Sequence, residues 1–185
     1  MCGRAKLPND VSEIKLDLKI DLDEIGDYRP RWNAAPTSKL PVVISDNARR
    51  VLTLMRWGLV PSWADDLKIG YSTFNARAES LATRAAFRGA WQAGRRCLVV
   101  ADGYYEWRDS DKQPFAVALA NRGPMTLAGP ARSSNPSPLS PPRPTTYWRL
   151  CTIACRLWFR PTAGRSGLGK RRWQKARLKP CSAPI

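Results

Sequence analysis

Histidine is absent from all 185 residues. Without an imidazole the chain cannot build a Ser-His-Asp or Cys-His hydrolase, an H-E-x-x-H metalloprotease or a C2H2 finger. Acidic side chains stop early: all 15 fall from Asp10 to Asp111, whereas 12 of the 31 lysines and arginines lie beyond residue 131. The net charge of +16 therefore divides into +4 over residues 1–131, with 19 basic against 15 acidic side chains, and +12 over residues 132–185. A folded surface normally mixes both signs, so the second stretch reads differently from the first. No apolar run approaches the roughly 18 residues of a membrane span, and no apolar segment of a signal peptide opens the chain, so a cytoplasmic protein is expected. The five cysteines (Cys2, Cys97, Cys151, Cys155 and Cys181) are odd in number and irregularly spaced, which argues against a disulfide framework. Cys151 and Cys155 have no C-x2-C partner, and neither a metal nor another cofactor is expected.

What is present begins at Met1-Cys2-Gly3-Arg4. Removal of Met1, permitted by the small side chain that follows, would leave Cys2 with an α-amine and a thiol on adjacent carbons. Their reference pKa values, about 7.7–8.0 and about 8.5, keep a fraction of each nucleophilic near neutral pH. Such a pair condenses with an aldehyde, first as an imine and then as a five-membered thiazolidine. A cysteine inside the chain cannot do this. Taken alone, cysteine at position 2 reads as an accident of a frayed terminus, and it is the rest of the chain that changes this reading.

Along the chain, Asn9 or Asp10 can cap a helix over about 9–19, with Val11, Ile14 and Leu18 on one side. Residues 28–37, YRPRWNAAPT, interleave arginine with aromatics, as suits an exposed nucleic-acid strand or an ordinary packed loop. Leu40–Ile44 and Arg50–Met55 read as two strands around a Ser45-Asp46-Asn47 turn. A helix is expected over 79–93 with Leu81, Ala85 and Trp91 inward, then a buried strand at Cys97–Val100. Tyr104 and Glu106 share one face of the next strand, and Phe115–Leu119 with Met125–Ala128 are expected to form a hairpin. Imine formation needs a polar group to hold the carbonyl or sugar oxygen and a group to move protons as water leaves. Asn75 and Glu106 are the candidates, although an asparagine ahead of a helix also reads as a cap and a strand glutamate as a solvated face.

Five stretches now line up: residues 1–4 (MCGR), 30–37 (PRWNAAPT), 57–63 (WGLVPSW), 75–79 (NARAE) and 101–107 (ADGYYEW). In this order they resemble the SOS-response-associated peptidase family, also described as abasic-site processing proteins. The resemblance covers about residues 1–131. It implies an α+β domain whose mixed, mainly antiparallel sheet curls into a barrel-like core with a few flanking helices, acting as a monomer on single-stranded DNA. By the same resemblance Cys2 would attack the ring-opened sugar of an abasic site, Asn75 would position it and Glu106 would shuttle protons. Arg4 and Arg77 would meet phosphates, and Asn33 and Trp57 join them as DNA-contacting candidates. Removal of the initiator methionine and β-lyase activity are further family properties.

The departure is local. The family carries a histidine in its C-terminal third and an acidic, tryptophan-bearing strand after the position of Gly129, whereas this chain continues as PARSSNPSP. Residues 149–154 briefly resemble the family again. A reading-frame disruption accounts for the acid-free sequence, and a natural basic nucleic-acid-binding tail is the alternative. Prolines at 136, 138, 141, 142 and 144 lead us to expect a poorly ordered tail over 132–185, apart from a domain at 1–131. Three functions stay open at this point: a covalent abasic-site enzyme, a basic single-strand-binding protein without catalysis, and an amidohydrolase using an N-terminal cysteine.

Overall fold

The computed structural model describes residues 3–132, 150–151, 153–155 and 177–180. Its centre is the hairpin of β3 and β4. To place them, the strands in chain order are β1 (Arg4–Lys6), β2 (Leu22–Glu24), β3 (Lys39–Asp46), β4 (Arg49–Trp57), β5 (Asn75–Arg77), β6 (Arg96–Ala101), β7 (Gly103–Trp107), β8 (Pro114–Ala118), β9 (Met125–Arg132), β10 (Leu150–Cys151), β11 (Ile153–Cys155) and β12 (Arg177–Pro180). Among the described residues two α-helices accompany them, α1 (Ser12–Asp17) and α2 (Ala85–Gln92).

β3 and β4 pair without interruption from Lys39 opposite Arg56 to Asp46 opposite Arg49. The reversal falls on Asn47 and Ala48, both at positive φ (48° and 63°), so the twist of this two-residue turn matches that of the strands. β6 joins the other edge of β3, β9 follows β6, and β2 runs parallel to the first half of β4. The two-residue β10 is bonded to β9 on one side and to the end of β4 on the other. The result is a curled sheet in which two residues bridge the gap between its ends, short of a full barrel. A second sheet carries β1, β7, β8 and β12 in that order, and β5 pairs in parallel with β11.

Strand alternation divides the apolar side chains between the two faces of the curled sheet. Leu40 and Val42 of β3, Met55 and Trp57 of β4, and Cys97, Val99 and Ala101 of β6 point into one core with Ala5 of β1 and Leu7 just after it. Val43, Leu52 and Val100 point the other way, where Val11 and Ile14 cover them with Ile25. Both faces of β6 are covered, which is why Cys97–Val100 is a continuous apolar run.

Several sequence expectations are corrected here. α1 spans only Ser12–Asp17, because the Asp10 carboxylate takes the Ser12 amide at 2.8 Å in a turn and Lys19 leaves the helix at φ 49°. The helix expected over 79–93 is broken. A 3-10 turn occupies Ala78–Ser80, the Ser80 hydroxyl bonds the Arg77 carbonyl, Arg84 is extended, and α2 then begins at Ala85. Leu81 is buried as expected, but Ala85 faces solvent and Phe87 fills the space instead. Phe115–Leu119 and Met125–Ala128 do not form a hairpin: β8 pairs with β7 and β9 with β6, so the loop between them crosses from one sheet to the other. The disorder expected over 132–148 lies outside the described residues beyond Arg132. Further on, β10, β11 and β12 pair with the body. No helix among the described residues is long and apolar enough to cross a membrane.

Candidate active site

Cys2 lies outside the described residues, and the chain is followed from Gly3. β1 is held on both edges. On one, Arg4, Ala5 and Lys6 pair with Tyr105, Tyr104 and Gly103 of β7. On the other, Ala5 and Ala34 exchange both backbone hydrogen bonds (2.9 and 2.8 Å) and the Leu7 amide donates to the Arg31 carbonyl at 2.7 Å. Ala5, Leu7 and Ala34 are small or apolar and buried, so the strand packs tightly at its centre while Arg4 and Lys6 project from the opposite face. Continuing the β1–β7 register by one residue sets Gly3 across from Glu106. Glu106 is half-buried and is the candidate proton carrier nearest, in the ladder, to the N-terminal residues.

The structure brings Arg4 and Asn33 together, the Arg4 guanidinium donating to Asn33 Oδ1 at 3.3 Å. Asn75 begins β5 and is only 8% exposed, while Arg77, two residues on, is exposed. Asn75 therefore sits in a strand, and the cap reading falls away. Its placement follows from the residue before it. The Phe74 carbonyl accepts the Trp57 indole N–H at 2.7 Å, and the two rings meet edge to face at 5.8 Å. Phe74 and Tyr104 pack against the same core cluster that contains Ala5 and Ala34, so the segments bearing Asn75, Glu106, Arg4 and Asn33 all rest on the main core.

Trp57 is the correction. It was expected to contact DNA, yet its ring is 0% exposed and its only polar atom is spent on Phe74. A buried tryptophan that satisfies its N–H inside the core cannot stack on a base. It anchors the Asn75 segment instead.

Three residues of this region were not singled out from sequence: Lys6, Trp32 and Asp102. Trp32 is 64% exposed, with the Lys6 ammonium 5.8 Å from its ring centroid and its indole N–H donating to Asn9 Oδ1 at 3.3 Å. Lys6 also reaches the Asp102 carboxylate at 3.8 Å, and the Asp102 amide donates to the Lys6 carbonyl at 2.9 Å. Burial pushes the Asp102 carboxyl above the usual carboxylate range, with Lys6 opposing it. Burial also raises the Tyr28 phenol, with a smaller contribution from Asp102, and its hydroxyl donates to the Pro8 carbonyl at 2.6 Å. The only sequence signal for Trp32 was the arginine-aromatic run that contains it. Among the described residues no group of three or more Cys, Asp or Glu side chains could hold a metal ion.

Residues 1–154 match the family model described as SOS response associated peptidase (SRAP). The chain is 39% identical over 134 residues to the abasic site processing protein YoqW of Bacillus subtilis, covering 70% of this chain and 59% of that one. It is 37% identical over 142 residues to the abasic site processing protein HMCES of Gallus gallus, covering 70% of this chain and 40% of that one. The chain thus matches less than two thirds of the length of these relatives. In fold it is similar to a crystal structure of a Bacteroides thetaiotaomicron protein, with a TM-score of 0.65 at 16% identity over 83% of this chain and 67% of that one.

Proposed function

The chain belongs to the SOS response associated peptidase family, and from that premise we propose that it processes abasic sites in single-stranded DNA by covalent capture through Cys2. The observation that carries the reading is the opening Met-Cys-Gly-Arg run leading into β1, whose register leads Gly3 towards Glu106 and whose Arg4 is joined to Asn33. Both relatives named above are abasic site processing proteins.

The chemistry balances without a cofactor. Water hydrolyses the Met1–Cys2 bond and frees the α-amine. That amine adds to the aldehyde of the ring-opened sugar, and loss of water gives an imine. The Cys2 thiolate then adds to the imine carbon, the nitrogen takes a proton, and a thiazolidine results. In this reading Glu106 carries the protons and Asn75 holds a sugar oxygen, while Arg4 and Arg77 meet phosphates. The imine is also the intermediate from which β-elimination of the 3′ phosphate would proceed, which accounts for a lyase activity beside the peptidase step. A role in the SOS response follows from the family.

A denaturing gel of the protein with a single-stranded abasic oligonucleotide tests this. A shifted band that survives denaturation, lost in Cys2→Ala and slowed about 10²- to 10⁴-fold in Glu106→Gln, is the expected result. Intact mass spectrometry should show Met1 removed. The absence of histidine favours a second reading, a single-strand-binding protein without catalysis. Reversible binding with no denaturation-resistant band at long times would select it.

A further inference from the structure

An abasic sugar has no base, so a protein that selects it on a single strand must grip the nucleotides on either side. We propose that Trp32 is a preformed stacking platform for a base flanking the lesion. This rests on the reading given above and adds to it the surface that holds the neighbouring nucleotide.

Three observations support it. Trp32 is 64% exposed, so its ring contributes little to the core. It is nevertheless fixed. Arg31 before it accepts the Leu7 amide at 2.7 Å, Asn33 after it accepts from Arg4 at 3.3 Å, Ala34 is doubly bonded to Ala5, and the indole N–H donates to Asn9 at 3.3 Å. A long apolar ring held in water by bonds on both sides has already lost its conformational freedom, so stacking on it costs little further ordering. Its surroundings are cationic: the Lys6 ammonium lies 5.8 Å from the ring centroid, and Arg29 and Arg31 are exposed beside it in sequence. Asp102 is engaged by Lys6 at 3.8 Å.

A single aromatic surface flanked by positive charge fits a ligand with flat π faces and a negative backbone. It does not fit a cationic ligand, which Lys6 would repel, and one ring is no cage. Arg4 and Lys6 project from the same face of β1, two residues apart, so the platform adjoins the Arg4–Asn33 pair on the side away from the N-terminus.

The test is fluorescence anisotropy of the full-length chain with a lesion-free oligothymidylate. Its comparison probe is an oligomer of the same length in which every nucleoside is replaced by tetrahydrofuran, which has the phosphate backbone but neither a base nor an aldehyde for Cys2 to capture. Trp32→Ala should weaken oligothymidylate binding about ten- to a hundredfold, the range for losing one base stacked on an aromatic ring, while Trp32→Phe stays within a few-fold of the unmutated chain. Neither should alter binding of the base-free probe. Oligothymidylate binding unchanged in Trp32→Ala, or an equal loss on both probes, would overturn the proposal. Because this readout is reversible binding to undamaged DNA, a failure of the cross-linking gel would sink the covalent reading and leave the stacking result standing.

Discussion

Asp102 is a carboxylate placed partly inside the protein with one ammonium, Lys6, 3.8 Å away. Burial outweighs that partner and raises its pKa in the fold. A raised carboxyl contributes stability that is fully present below the unfolded pKa of about 3.9 and is lost as pH rises through the folded pKa. At neutral pH the charged Asp102 is therefore a net cost. Asp102→Asn should melt at a higher temperature than the unmutated chain at pH 7, with the difference closing as pH falls below about 4; a gap independent of pH would contradict this. A similar strain exists at the end of β9. Arg132 donates to the Val60 carbonyl at 3.0 Å, but burial, and then Arg95, lower its pKa. Replacing the repelling neighbour by a partner, Arg95→Glu, should stabilise the fold by about 0.5–1 kcal/mol in a denaturant titration. The gain should fade near 1 M salt, where charges on the surface are screened within about 3 Å.

Among the elements, the loop after β4 depends on a glycine with two constraints at once. Gly58 has φ 124°, and a Cβ built on it would lie 2.5 Å from the Gly70 carbonyl oxygen. Gly58→Ala should cost at least about 2 kcal/mol and displace the Asn75 segment, read as loss of both melting temperature and adduct. Gly89, in the middle of α2, meets nothing within 4 Å of such a Cβ. There the same substitution should stabilise by about 0.5–1 kcal/mol. The β3–β4 hairpin was legible because two apolar runs flank a short polar break, a local signal, although Ser45 and Asp46 pair within β3 and the turn expected at Ser45-Asp46-Asn47 falls on Asn47 and Ala48. The failed hairpin between β8 and β9 was not, since the choice of ladder partner is made by packing of the whole sheet. Trp57 shows the same limit within one residue: nothing in W-G-L-V-P-S-W distinguishes a ring that anchors a loop from one that meets a ligand. Arg4 and Asn33 were legible through their motifs, and their mutual contact was supplied by the strap of residues 31–34 along β1.

At the scale of the molecule, the family match runs to residue 154, beyond the boundary expected at 131. Composition marked where acids end, but not where pairing ends, because strand pairing in β10 and β11 depends on backbone groups. We propose that the basic residues past 155 add sequence-independent affinity for DNA. Each phosphate left without its cationic partner should reduce the slope of log K against log salt by about 0.7 on a single strand. A Lys170→Ala, Arg171→Ala, Arg172→Ala triple variant should then lower that slope by up to about 2; an unchanged slope would remove the tail from the binding surface.

The pairing of β5 with β11 also sets an order of events during synthesis. Asn75 is opposite Ile153 and Arg77 opposite Cys155, and among the described residues β5 has no other ladder partner. Parallel pairing across so long a stretch of chain is a slow, late step. On the ribosome the strand that carries Asn75 would wait for residues 153–155 to emerge. Under the proposed mechanism, a chain ended before residue 153 would carry Cys2 but lack the strand partner of Asn75.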